Sequence, residues 1–324
     1  MKKAVSILLA VLLIALCGCG ANNETGDTSD VTSVYVSPAT DFEYAENEDG
    51  ITVTKYIGES TEVAIPETID GKPVTEIGKN FAMLKPIISV RMPDTVHSIG
   101  DLAFDQCWVL ESVQLSAGLL TIEDRAFRGC ACLKSIELPE GLTTIGPDAF
   151  SGCTALKEIS IPKTVVTIDT EAFYLCVPER ITFAEGSRLE TIGYCAFGGA
   201  KITELTLPSS VRRLESSAFS GCGLLTKVTL NDGLQRIGSN AFNYTGLREL
   251  VIPASVTDLE YLSFYNGTFE TNSFEALYFE GDLPEDFFER AVILEDVSGV
   301  TIYLHEGARG FEIEGAERFT IETW

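Results

Sequence analysis

Eight phenylalanines recur along the chain at nearly constant intervals, and this feature constrains the fold more than any other. Consecutive members are separated by 23, 23, 23, 24, 22, 23 and 22 residues, and seven of the eight follow an alanine. A fixed period of this length is typical of solenoids, in which each repeat forms one coil that packs on its neighbours. The sequence therefore predicts a buried phenylalanine ladder made of Phe104, Phe127, Phe150, Phe173, Phe197, Phe219, Phe242 and Phe264.

The repeat at residues 133–156, LKSIELPEGLTTIGPDAFSGCTAL, shows what one coil is expected to contain. Its first apolar residues alternate and predict a short strand that ends at Pro139, because proline cannot donate to a strand ladder. A second apolar pair, Leu142 and Ile145, predicts a second short strand. The segment from Ala149 to Cys153 then predicts one helical or 3₁₀ turn. The predicted fold class is thus a strand-rich α/β repeat solenoid with coils of about 23 residues.

The N-terminal residues have the pattern of an export signal. Lys2 and Lys3 precede an apolar run over residues 4–16, which is too short to span a bilayer comfortably. The run ends in Leu-Cys-Gly-Cys, which resembles a bacterial lipobox and predicts a lipoprotein signal peptide at 1–18 with lipid attached to Cys19. An ordinary secretory signal with incidental cysteines is the alternative. We expect an exported protein that contacts the outer face of the cell membrane through its lipid anchor only.

The rest of the chain divides into four further segments. Residues 19–40 are mostly polar and predict a flexible tether. Residues 41–75 show strand patterning and an Asp49-Gly50 turn signal without the Ala-Phe element, which predicts an N-terminal cap. The repeats occupy residues 76–270, and the charged and aromatic residues 271–324 predict a C-terminal cap. Caps are expected because each end of a solenoid exposes a core and a strand edge.

The chain is strongly acidic, which excludes one class of partner. Its formal net charge is −25, and removal of residues 1–18 deletes two lysines and no acid. Sequence-independent nucleic-acid binding needs clustered Lys and Arg, so no nucleic-acid partner is expected. The acidity favours solubility of an exposed solenoid, and a preference for basic partner surfaces is the second interpretation.

Five cysteines occupy one repeat position, three residues after a ladder phenylalanine. They are Cys107, Cys130, Cys153, Cys176 and Cys222. We interpret them as a reduced, buried column, with a disulfide between neighbouring coils, such as Cys107–Cys130, as the alternative. The chain has only two histidines, which are far apart, and no Cys-x-x-Cys pair, so no metal and no cofactor are predicted.

The repeat pattern LxxIxLPxxLTxIGxxAFxGCxxL resembles the BspA-like (Treponema-type) leucine-rich repeat family, from about Asp41 to the C-terminus. The resemblance implies a single right-handed leucine-rich-repeat array and a bacterial surface protein. It further implies that some relatives bind host extracellular proteins or mediate aggregation. The family offers no catalytic motif to transfer to this chain.

The search for chemistry favours a non-enzymatic protein, because no nucleophile elbow, P-loop, HExxH or GxGxxG motif occurs. We predict binding or adhesion to a protein or glycan at the cell exterior through the outward residues of the first strands. A structural envelope-organising lipoprotein and a substrate-capture lipoprotein beside a transporter are the alternatives. The candidate binding residues are Arg91, Gln114, Glu137, Ser160, Thr182, Thr206, Thr229 and Val251, with Tyr244, Tyr261, Tyr265 and Tyr278 near the last coils. The threonines also suit a strand and the tyrosines also suit a packed cap, so each single residue has a structural explanation as well.

Overall fold

The structure is a computed structural model, and it describes residues 35–260, 263, 267–268, 271–272, 274–284, 287, 300–309 and 319–324. From Val36 onward the chain forms one compact unit. The predicted signal peptide, Cys19 and residues 19–34 of the tether lie outside the described residues. So do Phe264, Tyr261 and Tyr265.

Within these ranges the unit is a β-solenoid with almost no helix. One 3₁₀ turn spans Ala39–Asp41. The strands, numbered along the chain, are β1 (Phe42–Glu46), β2 (Ile51–Tyr56), β3 (Glu62–Ala64), β4 (Thr68–Ile69), β5 (Lys72–Ile77), β6 (Ser89–Arg91), β7 (Ser98–Ile99), β8 (Ser112–Gln114), β9 (Thr121–Ile122), β10 (Thr144–Ile145), β11 (Glu158–Ile161), β12 (Thr167–Ile168), β13 (Arg180–Phe183), β14 (Thr191–Ile192), β15 (Glu204–Thr206), β16 (Arg213–Leu214), β17 (Lys227–Thr229), β18 (Arg236–Ile237), β19 (Glu249–Ile252), β20 (Asp258–Leu259), β21 (Gly267–Thr268), β22 (Thr271–Asn272), β23 (Ala276–Phe279), β24 (Thr301–Leu304) and β25 (Thr320–Thr323).

The second apolar pair of each repeat builds the most continuous sheet, which we call the long sheet. Its order is β1-β2-β5-β7-β9-β10-β12-β14-β16-β18-β20, with β4 paired to β5. From β2 onward the coils of this path pair in parallel, as Thr144 with Thr167 and Ile145 with Ile168 show. The aliphatic side chain of each two-residue strand points inward, and Ile145 and Ile168 are fully buried. The long sheet is thus a column of identical positions stacked coil on coil.

The first strands of the repeats form short, separate sheets. These are β3-β6-β8, β11-β13, β15-β17 and β19-β23-β24-β25, and β21 with β22 forms a small antiparallel pair. The prediction of a strand at residues 133–138 is wrong, because no strand forms there. Leu133 and Ile136 are nevertheless buried. Side-chain packing therefore holds this segment in place where the ladder between β8 and β11 is missing.

The segment after each long-sheet strand is a series of turns, so the predicted helical turn and the α/β label are not confirmed. Backbone φ is positive just before the alanine and again two residues after the phenylalanine, as at Arg125 (56°) and Gly129 (72°). The N–H groups of Arg125, Phe127 and Gly129 donate to carbonyls of the next coil at 2.8–2.9 Å. The N–H groups between them bond three residues back in their own coil, as Ala126 does to Glu123. Because alternate donors are used between coils, no helix can form.

The phenylalanine rings stack along the interior of these turns. From Phe104 to Phe242 consecutive ring centroids lie 5.1–5.9 Å apart with planes within 12° of parallel. All seven of these side chains are fully buried. The preceding alanine is also fully buried in each of these coils. The ladder therefore couples each coil to the next through ring contacts.

The cysteine column lies beside this ladder, and its thiols are free in the structure. Each thiol donates to a backbone carbonyl of the preceding coil, as Cys153 does to Phe127 at 3.2 Å and Cys176 to Phe150 at 3.0 Å. Burial raises the pKa of the Cys107 thiol to about 12. The interpretation as a reduced column agrees with this structure. The sequence did not reveal the thiol–carbonyl bonds.

The N-terminal end closes the long sheet with a hairpin. β1 pairs antiparallel with β2, and the connecting turn is held by the Asn47 N–H, which donates to the Gly50 carbonyl at 2.9 Å. The ring of Phe42 stacks on Phe81, which meets Phe104 edge to face at 5.6 Å. The aromatic ladder thus continues through Phe81, where the order is Phe-Ala instead of Ala-Phe, to Phe42 within residues 41–75.

Candidate binding face

The outward residues of the first strands form a row, which we call the outward row. Its members are Arg91, Gln114, Glu137, Ser160, Thr182, Thr206, Thr229 and Val251. Strand pairing places Arg91 opposite Gln114, Ser160 opposite Thr182, and Thr206 opposite Thr229. All members except Arg91 are exposed, and Arg91 is half-buried. The structure therefore brings the predicted residues to one side of the solenoid and holds them in register within each short sheet, whereas Glu137 lies in the segment where no strand forms.

Contacts between coils fix several side chains on this side. The hydroxyls of Ser160 and Thr182 are hydrogen-bonded at 2.9 Å. In the flanking positions Arg180 pairs with Glu158 at 2.9 Å. These exposed pairs add little stability each. Their main consequence is that a charge compensated within the face is less available to a ligand.

The C-terminal end of the row is aromatic. Val251 lies opposite Tyr278, and Tyr278 lies opposite Tyr303 on the next strand. The two tyrosine rings stack with centroids 4.6 Å apart, and Trp324 contacts Tyr278 edge to face at 5.3 Å. Trp324 remains 48% exposed. Partly exposed Tyr and Trp are the side chains most enriched in protein recognition sites, so this end of the face has binding potential.

Tyr303 and Trp324 were missed by the sequence reasoning. They lie in β24 and directly after β25, where no Ala-Phe element marks the repeat. Burial, followed by the nearby Glu322 carboxylate, raises the pKa of Tyr303. The alternation in TIYL and TIET was the signal that was available for these strands.

Tyr244 does not belong to the aromatic end of the row. It lies in the turn after Phe242, with a φ of 56°, and its side chain is 51% exposed. Tyr278 lies in a first strand instead. Of the four tyrosines predicted to gather near the last coils, the two that lie within the described residues, Tyr244 and Tyr278, are thus in a turn and in a sheet, respectively.

The strongest charge network lies away from the outward row, at the C-terminal end of the long sheet. Arg236 pairs with Asp258 and with Glu260, and its Nε lies 3.5 Å from Glu215. Burial would raise the pKa of Glu260. That effect is outweighed by the Ser239 N–H at 2.9 Å, the Ser216 hydroxyl at 3.0 Å and the Arg236 guanidinium, so the pKa is lowered. This network joins three coils, and its carboxylates outnumber its guanidinium groups even when Arg213, which lies 3.5 Å from Glu215, is included.

Neither a metal site nor a membrane span is found in the part of the chain that the structure describes. No group of three or more His, Cys, Asp or Glu residues is placed there to hold a metal ion. No described helix is long and apolar enough to cross a bilayer. The face is thus an extended surface of hydroxyl, carboxylate and aromatic groups.

Comparison with known proteins gives the same architecture. The model of the BspA type leucine-rich repeat region, in six copies, matches residues 75–188 and 144–271. The structure of a leucine-rich repeat protein from Bacteroides ovatus is 25% identical over 90% of this chain and 76% of that chain, with a TM-score of 0.66. The leucine-rich repeat protein of T. pallidum is 29% identical over 65% of this chain and 89% of that chain, with a TM-score of 0.50.

A leucine-rich cell surface protein from Faecalibacterium prausnitzii has the same fold. It is 21% identical over 91% of this chain and 96% of that chain, with a TM-score of 0.59. No curated protein sequence matches the chain.

Proposed function

The chain belongs to the BspA-type leucine-rich repeat family, and from this premise we propose that it is a non-enzymatic surface protein that binds an extracellular protein or glycan. The observation that carries the proposal is the outward row, in which successive coils expose side chains on one side of the solenoid and the paired coils of each short sheet hold them in register. Repeat arrays use such extended surfaces for binding, because each coil adds contact area at a fixed spacing.

The location of the protein is part of the proposal. A neighbour in fold is a leucine-rich cell surface protein, and the lipobox-like residues at the N-terminus support attachment through lipidated Cys19. A protein held in this way by two or more acyl chains would face the cell exterior with its solenoid free to contact a partner. Replacement of Cys19 by alanine is expected to release the protein from the membrane fraction and to abolish incorporation of labelled fatty acid. Retention with unchanged labelling would contradict the anchor.

The binding function is tested with the purified full chain on a biosensor against matrix proteins, mucins and glycans. Two variants separate the outward row from the remaining surface. Ser160→Arg/Thr229→Arg places two bulky cations on the row, whereas Thr144→Arg/Thr257→Arg places the same groups at exposed positions in and directly before strands of the long sheet. We expect the first variant to weaken the interaction by tenfold or more, about 1.4 kcal/mol, and the second to leave it unchanged. A chain that binds none of these ligands, or two variants with equal effects, would refute the proposal.

Crosslinking on intact cells separates this function from the envelope-organising alternative. Partners from outside the producing cell support surface binding. Recovery of envelope components alone would support the alternative instead.

A further inference from the structure

Within the described residues the ladders of the first-strand side are interrupted between β8 and β11, between β13 and β15, and between β17 and β19. Strands β13 and β15 belong to consecutive coils, yet each pairs only with its outer neighbour, β11 or β17. The two coils remain joined elsewhere, since Thr191 pairs with Arg213 in the long sheet and the rings of Phe197 and Phe219 stack at 5.5 Å. The opening is thus confined to the side that carries the outward row. A cleft of ≈ 800 Å³ lies there, lined by residues 179–187 and 203–209.

The cleft coincides with an insertion in one repeat. In the repeat of Glu137 the outward residue precedes the inward isoleucine of the long sheet by 8 residues, whereas Thr182 precedes Ile192 by 10. The additional residues fall in the segment Ala184-Glu185-Gly186-Ser187, which replaces the proline turn of other repeats. Gly186 has a φ of 71°, and no atom lies within 4 Å of where its Cβ would be. The longer connection forms one wall of the cleft, while the long sheet and the ring ladder keep their register.

The charges in the cleft are not balanced. Glu179 lies 3.7 Å from Lys157, and Arg180 is paired with Glu158. Glu185 and Glu204 are exposed and form no ion pair within the described ranges. The cleft therefore presents two uncompensated carboxylates, and a ligand with positive charge complements them.

The backbone of the cleft also points to a class of ligand. In two-stranded sheets each strand keeps one unpaired edge, and those of β13 and β15 border the cleft. Unpaired strand edges recognise extended polypeptide through main-chain hydrogen bonds. Carboxylates beside such edges select the positively charged side chains of the added segment.

We propose that the cleft between β13 and β15 is a docking site for an extended Lys- or Arg-containing segment of a partner protein. This inference rests on the proposed function, because it locates the contact on the outward row and specifies the chemistry of the partner. Thr182 and Thr206 then contribute as cleft residues, one from each of the two strands that border the cleft.

The first test uses labelled, end-blocked ten-residue peptides and fluorescence anisotropy with the full chain. One peptide alternates Arg with Thr, one alternates Glu with Thr, and one alternates Gln with Thr. We expect measurable affinity for the Arg peptide alone. The variant Glu185→Gln/Glu204→Gln should weaken this affinity by about tenfold, since it removes both uncompensated carboxylates.

The matched control is Glu137→Gln/Glu249→Gln, which changes the net charge equally at exposed positions of the same side outside the cleft. It should retain affinity for the Arg peptide to within about twofold. Equal weakening in both double variants would mean unspecific attraction to an acidic surface and would overturn the proposal. A second result would also overturn the proposal. If no peptide binds but a neutral oligosaccharide binds specifically, and Thr206→Arg abolishes that binding, the cleft is a glycan site.

The outcome is separable from that of the proposed function. One informative result is a macromolecular partner that fails to bind Ser160→Arg/Thr229→Arg and yet binds Glu185→Gln/Glu204→Gln with normal affinity. That result would overturn the cleft proposal and leave the proposed surface binding intact. Failure of every macromolecule on the biosensor would refute the proposed function, while preferential, cleft-dependent binding of the Arg peptide would still support the cleft. Thermal unfolding followed by circular dichroism should be unchanged in all four glutamine substitutions, because each replaced carboxylate is exposed.

Discussion

Replacement of Phe150 by alanine tests whether the ring ladder is the main source of cohesion between coils. The ring is fully buried between Phe127 at 5.3 Å and Phe173 at 5.2 Å, with interplanar angles of 4° and 5°. Truncation of a buried phenylalanine costs about 3–5 kcal/mol. Two stacked contacts of about 0.5–1.5 kcal/mol each are lost in addition to apolar area, so the upper part of that range is expected. Urea unfolding monitored by circular dichroism measures the total loss.

Hydrogen exchange shows where the loss occurs. Each coil contacts only its neighbours, so faster exchange is expected at the turn amides that join this coil to the adjacent ones, such as those of Phe127 and Gly152. Amides near Tyr56 should remain protected in the native state. The exposed substitution Ser135→Ala in the same coil is the control and should change neither stability nor exchange at buried amides.

A double-mutant cycle separates stacking from simple burial. Phe127→Leu and Phe150→Leu should show a coupling of about 0.5–1.5 kcal/mol, because their rings touch. Phe150→Leu and Phe219→Leu are separated by two intervening rings of the ladder, and their effects should add within about 0.5 kcal/mol. Equal coupling in the two cycles, or a cost below about 1 kcal/mol for the alanine variant, would refute the ladder as the source of cohesion.

Three other measurements test the turns, the charge network and the thiols. Gly152→Ala should lower the free energy of unfolding by about 1–2 kcal/mol, because residue 152 has a φ of 76°. Leu175→Gly, at the equivalent turn position of the next coil, should lower it less. Equal losses for the two variants in urea unfolding would contradict the backbone argument. Glu260→Gln should lower the free energy of unfolding at neutral pH, because the pKa of Glu260 is lower in the folded state than in the unfolded state. The stability that this carboxylate contributes is present above its unfolded-state pKa and is lost as pH falls through its folded-state pKa, so the difference from wild type should vanish in acid. A difference that does not depend on pH would exclude this mechanism. The thiols of Cys107 and Cys222, whose pKa burial raises to about 12, should resist alkylation at pH 8 until the protein is unfolded; rapid labelling of the native state would disprove their burial.

The interior of this fold is readable from the sequence because the same few positions are buried in every coil. The spacing that predicts the ladder also places Ile145 and Ile168 in register in the long sheet, and Cys130 and Cys153 beside it. An apolar residue that recurs at one period has to meet its own copy in the next coil, since only the stack buries it. Periodicity therefore determines the core without knowledge of the backbone conformation.

Backbone conformation was less accessible. The motif around Ala126 and Phe127 contains good helix formers, so it predicted a helical turn, yet the positive φ at Arg125 and Gly129 gives a chain of turns bonded to the next coil. The glycine was a signal for this conformation, whereas the arginine was not. Similarly, the alternation in residues 133–138 predicted the burial of Ile136 but did not predict that this segment forms no strand ladder. A side-chain pattern indicates which face is buried and does not determine whether the backbone hydrogen-bonds to a neighbouring strand.

The candidate surface depends on a departure from the repeat. Identical coils would give the outward row a uniform surface, and a local partner could then bind at any register along it. The two additional residues between Thr182 and Ile192 remove that equivalence at one place. They lengthen an exposed loop, which costs little conformational free energy, while Ile192 remains buried and Phe197 remains stacked. A change confined in this way can open a cleft without loss of core packing. Selection for a partner can therefore act on such an insertion, which changes the surface at one coil of the solenoid while its core packing is kept.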